Sequence, residues 1–123
     1  MSAKIRLIGT IIVFSLGLFS QPLLAHAHLK TVIPAKDATV SPAPQVLMLN
    51  FSEGIELNFS KVKVSGADNQ AVKTGKLVLA PDNNKQLQVP IETQLMAGKY
   101  HVDWHIVSVD GHKTKGQYSF TVN

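Results

Sequence analysis

The sequence predicts an all-β fold, an antiparallel sandwich or small Greek-key barrel, and three observations predict it. Apolar and polar residues alternate through most of the chain beyond residue 25, which is the two-residue period of a strand with one buried face. The alternating runs are short and are divided by turn-rich stretches such as SPAP at 41–44, SGADNQ at 65–70 and MAG at 96–98. Regular punctuation of that kind accompanies all-β sandwiches and barrels. No helical period persists beyond a turn or two.

The chain opens differently. Lys4 and Arg6 precede an apolar run from Leu7 through Phe19, and Ala25 follows as a small residue suited to cleavage; this is the layout of a signal peptide over residues 1–25. The run is short for a membrane span of about 20 apolar residues, and Gln21 and Pro22 break it. Cleavage after Ala25 makes His26 the first residue, whereas cleavage after Ala27 satisfies the small-x-small rule with Ala25 and makes His28 the first. Residues 26–123 then form one domain with a single modest core, exported to the periplasm and expected to be a monomer.

Seven strands are expected in that domain. The first lies near residues 29–32. VLMLNFS at 46–52 sets Leu47, Leu49 and Phe51 on one face, and KVKVSG at 61–66 alternates in the same way. KLVLA and QLQVP flank the turn-rich PDNNK at 81–85. GKYHVDWHIV at 98–107 points Tyr100, Val102, Trp104 and Ile106 one way and His101, Asp103 and His105 the other, so Trp104 is read as core and the two histidines as polar positions on a wet face. GQYSFTV at 116–122 closes the set, with Gly116 opening the strand and SVDGHKTKG at 108–116 forming the loop before it.

Composition excludes several functions. The net charge of +4 falls to +2 without Lys4 and Arg6, so no nucleic-acid footprint is expected and Lys61, Lys63, Lys73 and Lys76 are read as solvated strand positions. There are no cysteines. Disulfide staples, a thiolate nucleophile and a cysteine-ligated copper or zinc centre are therefore excluded.

Ligand-type residues concentrate in two places: the new terminus with His26 and His28, and the loop carrying Asp110 and His112. Asp-x-His alone also describes a capped turn with a solvated histidine. Joined to a terminal histidine it matches Cu(II), which favours nitrogen and oxygen donors in a tetragonal plane. The amine and imidazole of His26 form one chelate, with His112 adding a third nitrogen and Asp110 an oxygen. Ordinary α-amino and imidazole pKa values of about 7.7–8.0 and about 6.5 let both groups yield their protons to the metal near neutrality. A rival arrangement needs no fold: the terminal amine, two deprotonated backbone amides and the His28 imidazole wrap the ion within His26-Ala27-His28.

These segments together resemble the CopC family of exported copper-binding proteins, in particular its YobA-like branch. The resemblance rests on His-x-x-Leu at 26–29, Pro34, Asn50-Phe51-Ser52-Glu53, Tyr-x-Val-Asp-Trp at 100–104, Val-Ser-x-Asp-x-His at 107–112 and Gly-x-Tyr-x-Phe-x-Val at 116–122. It implies a seven-stranded Greek-key β-barrel or sandwich of immunoglobulin-like, cupredoxin-like character. It implies one Cu(II) per chain held by His26, Asp110 and His112, with cleavage after Ala25. Glu53 occupies a family position sometimes placed near the metal. The family role is non-enzymatic: copper sequestration, resistance, or delivery to an inner-membrane copper transporter.

One departure from the family stands out. Some members carry a methionine-rich Cu(I) loop, yet only Met48 and Met96 remain beyond the leader, so no Cu(I) methionine site is expected. Two other functions fit parts of the pattern. A terminal histidine plus one imidazole is also the ligand set of oxidative copper enzymes with a histidine brace, although Asp110 would fill the plane that oxygen needs. An interaction module with incidental histidines is the remaining reading.

Overall fold

A computed structural model describes residues 27–123. Nine strands form two sheets: β1 (Leu29–Ile33), β2 (Thr39–Val40), β3 (Val46–Phe51), β4 (Lys61–Ser65), β5 (Ala71–Val72), β6 (Val78–Ala80), β7 (Asn83–Pro90), β8 (Gly98–Val107) and β9 (Lys113–Val122). One sheet has the order β1-β3-β7-β6 and the other β2-β9-β8-β4-β5. All pairings are antiparallel except the short β2 against β9. The two sheets are separate, so the domain is a sandwich. Among the described residues no helix is long and apolar enough to cross a membrane.

The seven expected strands are all present, and two more accompany them. β2 and β5 are two residues each, too short for alternation to reveal. The last strand also begins earlier than expected, at Lys113 instead of Gly116, because Val107 to Trp104 of β8 pair in register with Lys113 to Gly116. The loop between them therefore shrinks to residues 108–112. Similarly, Ala80 pairs with Asn83, so PDNNK is a tight turn at Pro81-Asp82 that already belongs to the strand by Asn83.

Alternation places the core where the sequence put it. Leu47, Leu49 and Phe51 of β3 are buried against Val102, Trp104 and Ile106 of β8 and Phe120 of β9 in one apolar cluster. Phe51 meets Trp104 edge to face, centroids 5.2 Å apart and 75° between planes, and Tyr100 stacks on Phe120 at 5.6 Å. Such aromatic pairs add about 0.5–1.5 kcal/mol each beyond the area they bury.

The outer face of the four-stranded sheet is knit by uncharged side chains. Asn50 Nδ2 donates to Thr31 Oγ1 (3.0 Å), Gln86 Nε2 to Asn50 Oδ1 (2.9 Å), and Gln88 Nε2 to Gln86 Oε1 (3.1 Å). This ladder runs across β1, β3 and β7, the cross-strand pairing that stabilises a wet sheet face.

Candidate metal site

The β8–β9 hairpin holds Asp110 and His112 in its five-residue loop. Ser108 N–H donates to the His112 carbonyl (2.9 Å) and Gly111 N–H to the Ser108 carbonyl (2.8 Å), which closes the turn. Gly111 has φ +86°, a left-handed conformation that glycine adopts without steric cost. The turn thus carries Asp110 and His112 on either side of a residue whose backbone conformation favours glycine.

Ser108 organises this loop from beneath. It is buried, and its hydroxyl donates to Asp110 Oδ1 and lies 3.3 Å from the His112 carbonyl oxygen. The second carboxylate oxygen, Oδ2, sits 2.9 Å from His112 Nδ1, with both side chains about two-fifths exposed. The Ser108 hydrogen bond first, then those from the His112 side chain and backbone, hold the Asp110 carboxyl below its usual range despite partial desolvation. Asp110 is therefore an ionised oxygen donor throughout the neutral range.

The spacing of the pair suits a shared metal. Two donors at right angles on bonds of about 2.0 Å stand about 2.8 Å apart, close to the 2.9 Å between Oδ2 and Nδ1. Among the described residues, no three His, Cys, Asp or Glu side chains gather at metal-binding spacing. His26, the expected third contributor, lies outside the described residues.

The chain immediately after His26 is anchored beside the hairpin. Ala27 is buried, and its carbonyl accepts a 3.0 Å hydrogen bond from Thr114 Oγ1, two residues beyond His112. His28 is clamped at its backbone: its N–H donates to Ser52 Oγ (2.8 Å) and its carbonyl accepts from Ser52 N–H (2.9 Å). The wrap within residues 26–28 would require that same His28 amide to lose its proton to copper and leave Ser52, so the hydrogen bond to Ser52 opposes it.

Glu53 stands on the bend after β3, at the same end of the sandwich. Val109 N–H donates to the Gly54 carbonyl (2.9 Å), and Ile55 bridges Ser108. A Cβ on Gly54 would lie 2.6 Å from Asn84 Nδ2 and 3.2 Å from Val109 Cγ1, so a side chain at residue 54 would crowd both neighbours. His101, Asp103 and His105 lie on the outer face of β8, as alternation predicts, and do not form a ligand cluster. Met48 is on β3, while Met96 is exposed on the loop before β8.

Three hydrogen-bonding roles around this loop were not foreseen from the sequence, those of Ser108, Ser52 and Thr114, although the first two stand in motifs quoted above. The first had a usable signal, a serine two positions before an aspartate, which is the spacing of a local side-chain bond. The other two act across distances in sequence of 24 and 87 residues and have no local signature.

Comparison with known proteins agrees with this architecture. The CopC domain family matches residues 29–123. The Escherichia coli K12 protein YobA is 47% identical over 110 residues, which cover 89% of each chain. Among solved structures, CopC from Methylosinus trichosporium OB3b is 28% identical with a TM-score of 0.74, covering 80% of this chain and 94% of its own. PcoC, a methionine-rich copper resistance protein from Escherichia coli, is 36% identical with a TM-score of 0.72, covering 80% of this chain and all of its own. With the family match extending from the first strand to the last residue, the chain belongs to the CopC domain family.

Proposed function

We propose that residues 26–123, freed of a signal peptide at 1–25, form a periplasmic Cu(II)-binding protein without enzymatic activity. It sequesters the ion or hands it to an inner-membrane copper transporter, and so serves copper resistance or supply. The relatives named for copper resistance support the choice of metal. The proposed ligands are the amine and imidazole of His26, the carboxylate of Asp110 and the imidazole of His112, one Cu(II) per chain.

The observation that carries this reading is the 2.9 Å Asp110–His112 pair, two residues from the Thr114 hydroxyl that tethers Ala27. Two of the proposed ligands stand together on the β8–β9 hairpin, and Ala27, the sequence neighbour of the proposed third, is tied to the same hairpin, which supports the reading. Nitrogen and carboxylate donors suit Cu(II), whereas the soft thioethers that Cu(I) would prefer are reduced to Met48 and Met96. A carboxylate in the metal plane also disfavours the oxygen activation that a histidine-brace enzyme needs.

Intact mass of the exported protein should identify His26 as its first residue. Cu(II) titration of that species should then show one tight site that is lost in His112→Ala and retained in His28→Ala. The reverse pattern would transfer the site to the terminal wrap, and equal binding in a variant lacking both His26 and His112 would sink the proposal.

A further inference from the structure

The two solvent faces of the sandwich differ in charge. Across the middle of the four-stranded sheet runs the uncharged Thr31-Asn50-Gln86-Gln88 ladder. On the five-stranded sheet, register sets Lys61 and Lys115 on either side of His105, puts Lys63 beside Asp103, and starts β9 with Lys113. Among the described residues none of these lysines lies within ion-pair distance of a carboxylate. Lys61 and Lys63 lie on β4 and Lys113 and Lys115 on β9, so the positive charges line both flanks of β8. With Asp103 the acidic residue that register places among them, this face is predominantly cationic, where soluble surfaces usually mix the signs more evenly.

An open groove of about 1040 Å³ follows this face, with the four lysines, His105 and Phe59 among its walls. Phe59 is 70% exposed on the short 3-10 turn Leu57–Phe59. The recess therefore combines unpaired cations, aliphatic lysine stems and one accessible aromatic ring.

The geometry points to a docking surface for an acidic polypeptide segment bearing an apolar side chain. Its carboxylates face Lys61, Lys63, Lys113 and Lys115, and its apolar residue lies against Phe59. Charge complementarity of this kind steers encounter and fixes register. The groove runs between the lysine stems with Phe59 among its walls and so fits an extended chain that offers carboxylates and an apolar side chain together; an anionic lipid surface is the alternative that the test below separates. The groove begins at Lys113, the residue after His112, and includes Thr114. Its occupant thus reaches the end of the domain that carries Asp110 and His112, yet the surface exists whether or not copper binds there.

The test uses metal-free exported protein and a fluorescein-labelled peptide of alternating Glu and Leu, followed by anisotropy, with amide shift mapping by NMR. Perturbed amides should gather at residues 59–63, 105–107 and 113–115. Lys61→Glu with Lys115→Glu should weaken binding by about tenfold, and Phe59→Ala by about threefold. Lys73→Glu with Lys76→Glu, the same charge change on exposed positions outside the groove, should alter affinity less than about twofold. Equal losses in the two charge-reversal variants, or no saturable peptide binding, overturn the proposal. So does saturable binding to phosphatidylglycerol vesicles that the peptide cannot displace.

Discussion

Thr114 Oγ1 donates to the Ala27 carbonyl across 3.0 Å and joins two residues 87 apart in sequence. The bond fastens the segment just before β1 to the start of β9, just after the Asp-x-His loop. Replacing Thr114 by valine keeps the β-branched shape and removes only the donor. The loss of one such hydrogen bond is worth about 1 kcal/mol. If the tether positions His26, Cu(II) affinity should therefore fall about fivefold, read by competitive titration against a chelator of known affinity. An unchanged affinity would mean that copper itself orders the terminus.

Ser108 predicts a shift in the opposite direction at the loop. Its hydroxyl is the main cause of the lowered Asp110 pKa, so Ser108→Ala should raise that pKa toward the ordinary carboxylate value. Carboxyl carbon shifts followed against pH in metal-free protein report it directly. The sign for stability follows from the depression: the contribution of Asp110 is present above the unfolded pKa and is lost as pH falls through the lower folded value. In Ser108→Ala this acid-side loss should shrink. An Asp110 titration that does not move would remove Ser108 from its organising role.

Much of this was legible in the sequence because strands write their faces in alternate residues. Tyr100, Val102, Trp104 and Ile106 are buried while His101, Asp103 and His105 are not, as period two requires. The loop that carries Asp110 and His112 was legible because the glycine between them marks a turn. Gly116 was misleading for a cross-strand reason. Read locally it punctuates the chain, but in the fold it is an interior strand residue opposite Trp104. Ser52 and Thr114 were illegible for the same reason, since their partners are chosen by sheet packing and not by neighbours in sequence. The strands β2 and β5 were missed because two residues cannot display a period.

Tyr118 carries a cost that a single substitution can relieve. Its hydroxyl is buried without a hydrogen-bond partner among the described residues, and burial pushes its phenol above the ordinary range. A buried unsatisfied polar group costs about 1–3 kcal/mol, so Tyr118→Phe should leave stability unchanged or raise it by about 1 kcal/mol in urea denaturation. The raised pKa also means that the fold disfavours the ionised phenol: stability holds below the unfolded pKa of about 10 and falls as pH rises beyond it. The alkaline decline in stability should therefore be shallower in Tyr118→Phe. A clear loss of stability at neutral pH would indicate a partner for the hydroxyl.

Among the described glycines, Gly116 has the least room for a side chain, because Trp104 lies against it. A Cβ on residue 116 would fall 2.4 Å from Trp104 Cζ2, 2.7 Å from Cε2 and 3.1 Å from Nε1. The indole cannot simply swing aside, because the Phe51 ring holds it edge to face at 5.2 Å. Gly116→Ala should thus destabilise the protein by about 1–3 kcal/mol, the usual range for overpacking a filled core. For a domain of this size that is a fall in Tm of roughly 4–8 °C per kcal/mol. Trp104 is the sole tryptophan, so its emission should report the displaced ring in the same sample. Combining Gly116→Ala with Trp104→Phe separates the clash from any intrinsic effect of alanine in the strand. The smaller ring should make the alanine nearly neutral, giving a coupling of about 1 kcal/mol or more between the two positions. Additive effects in that cycle would show that the indole does not constrain residue 116.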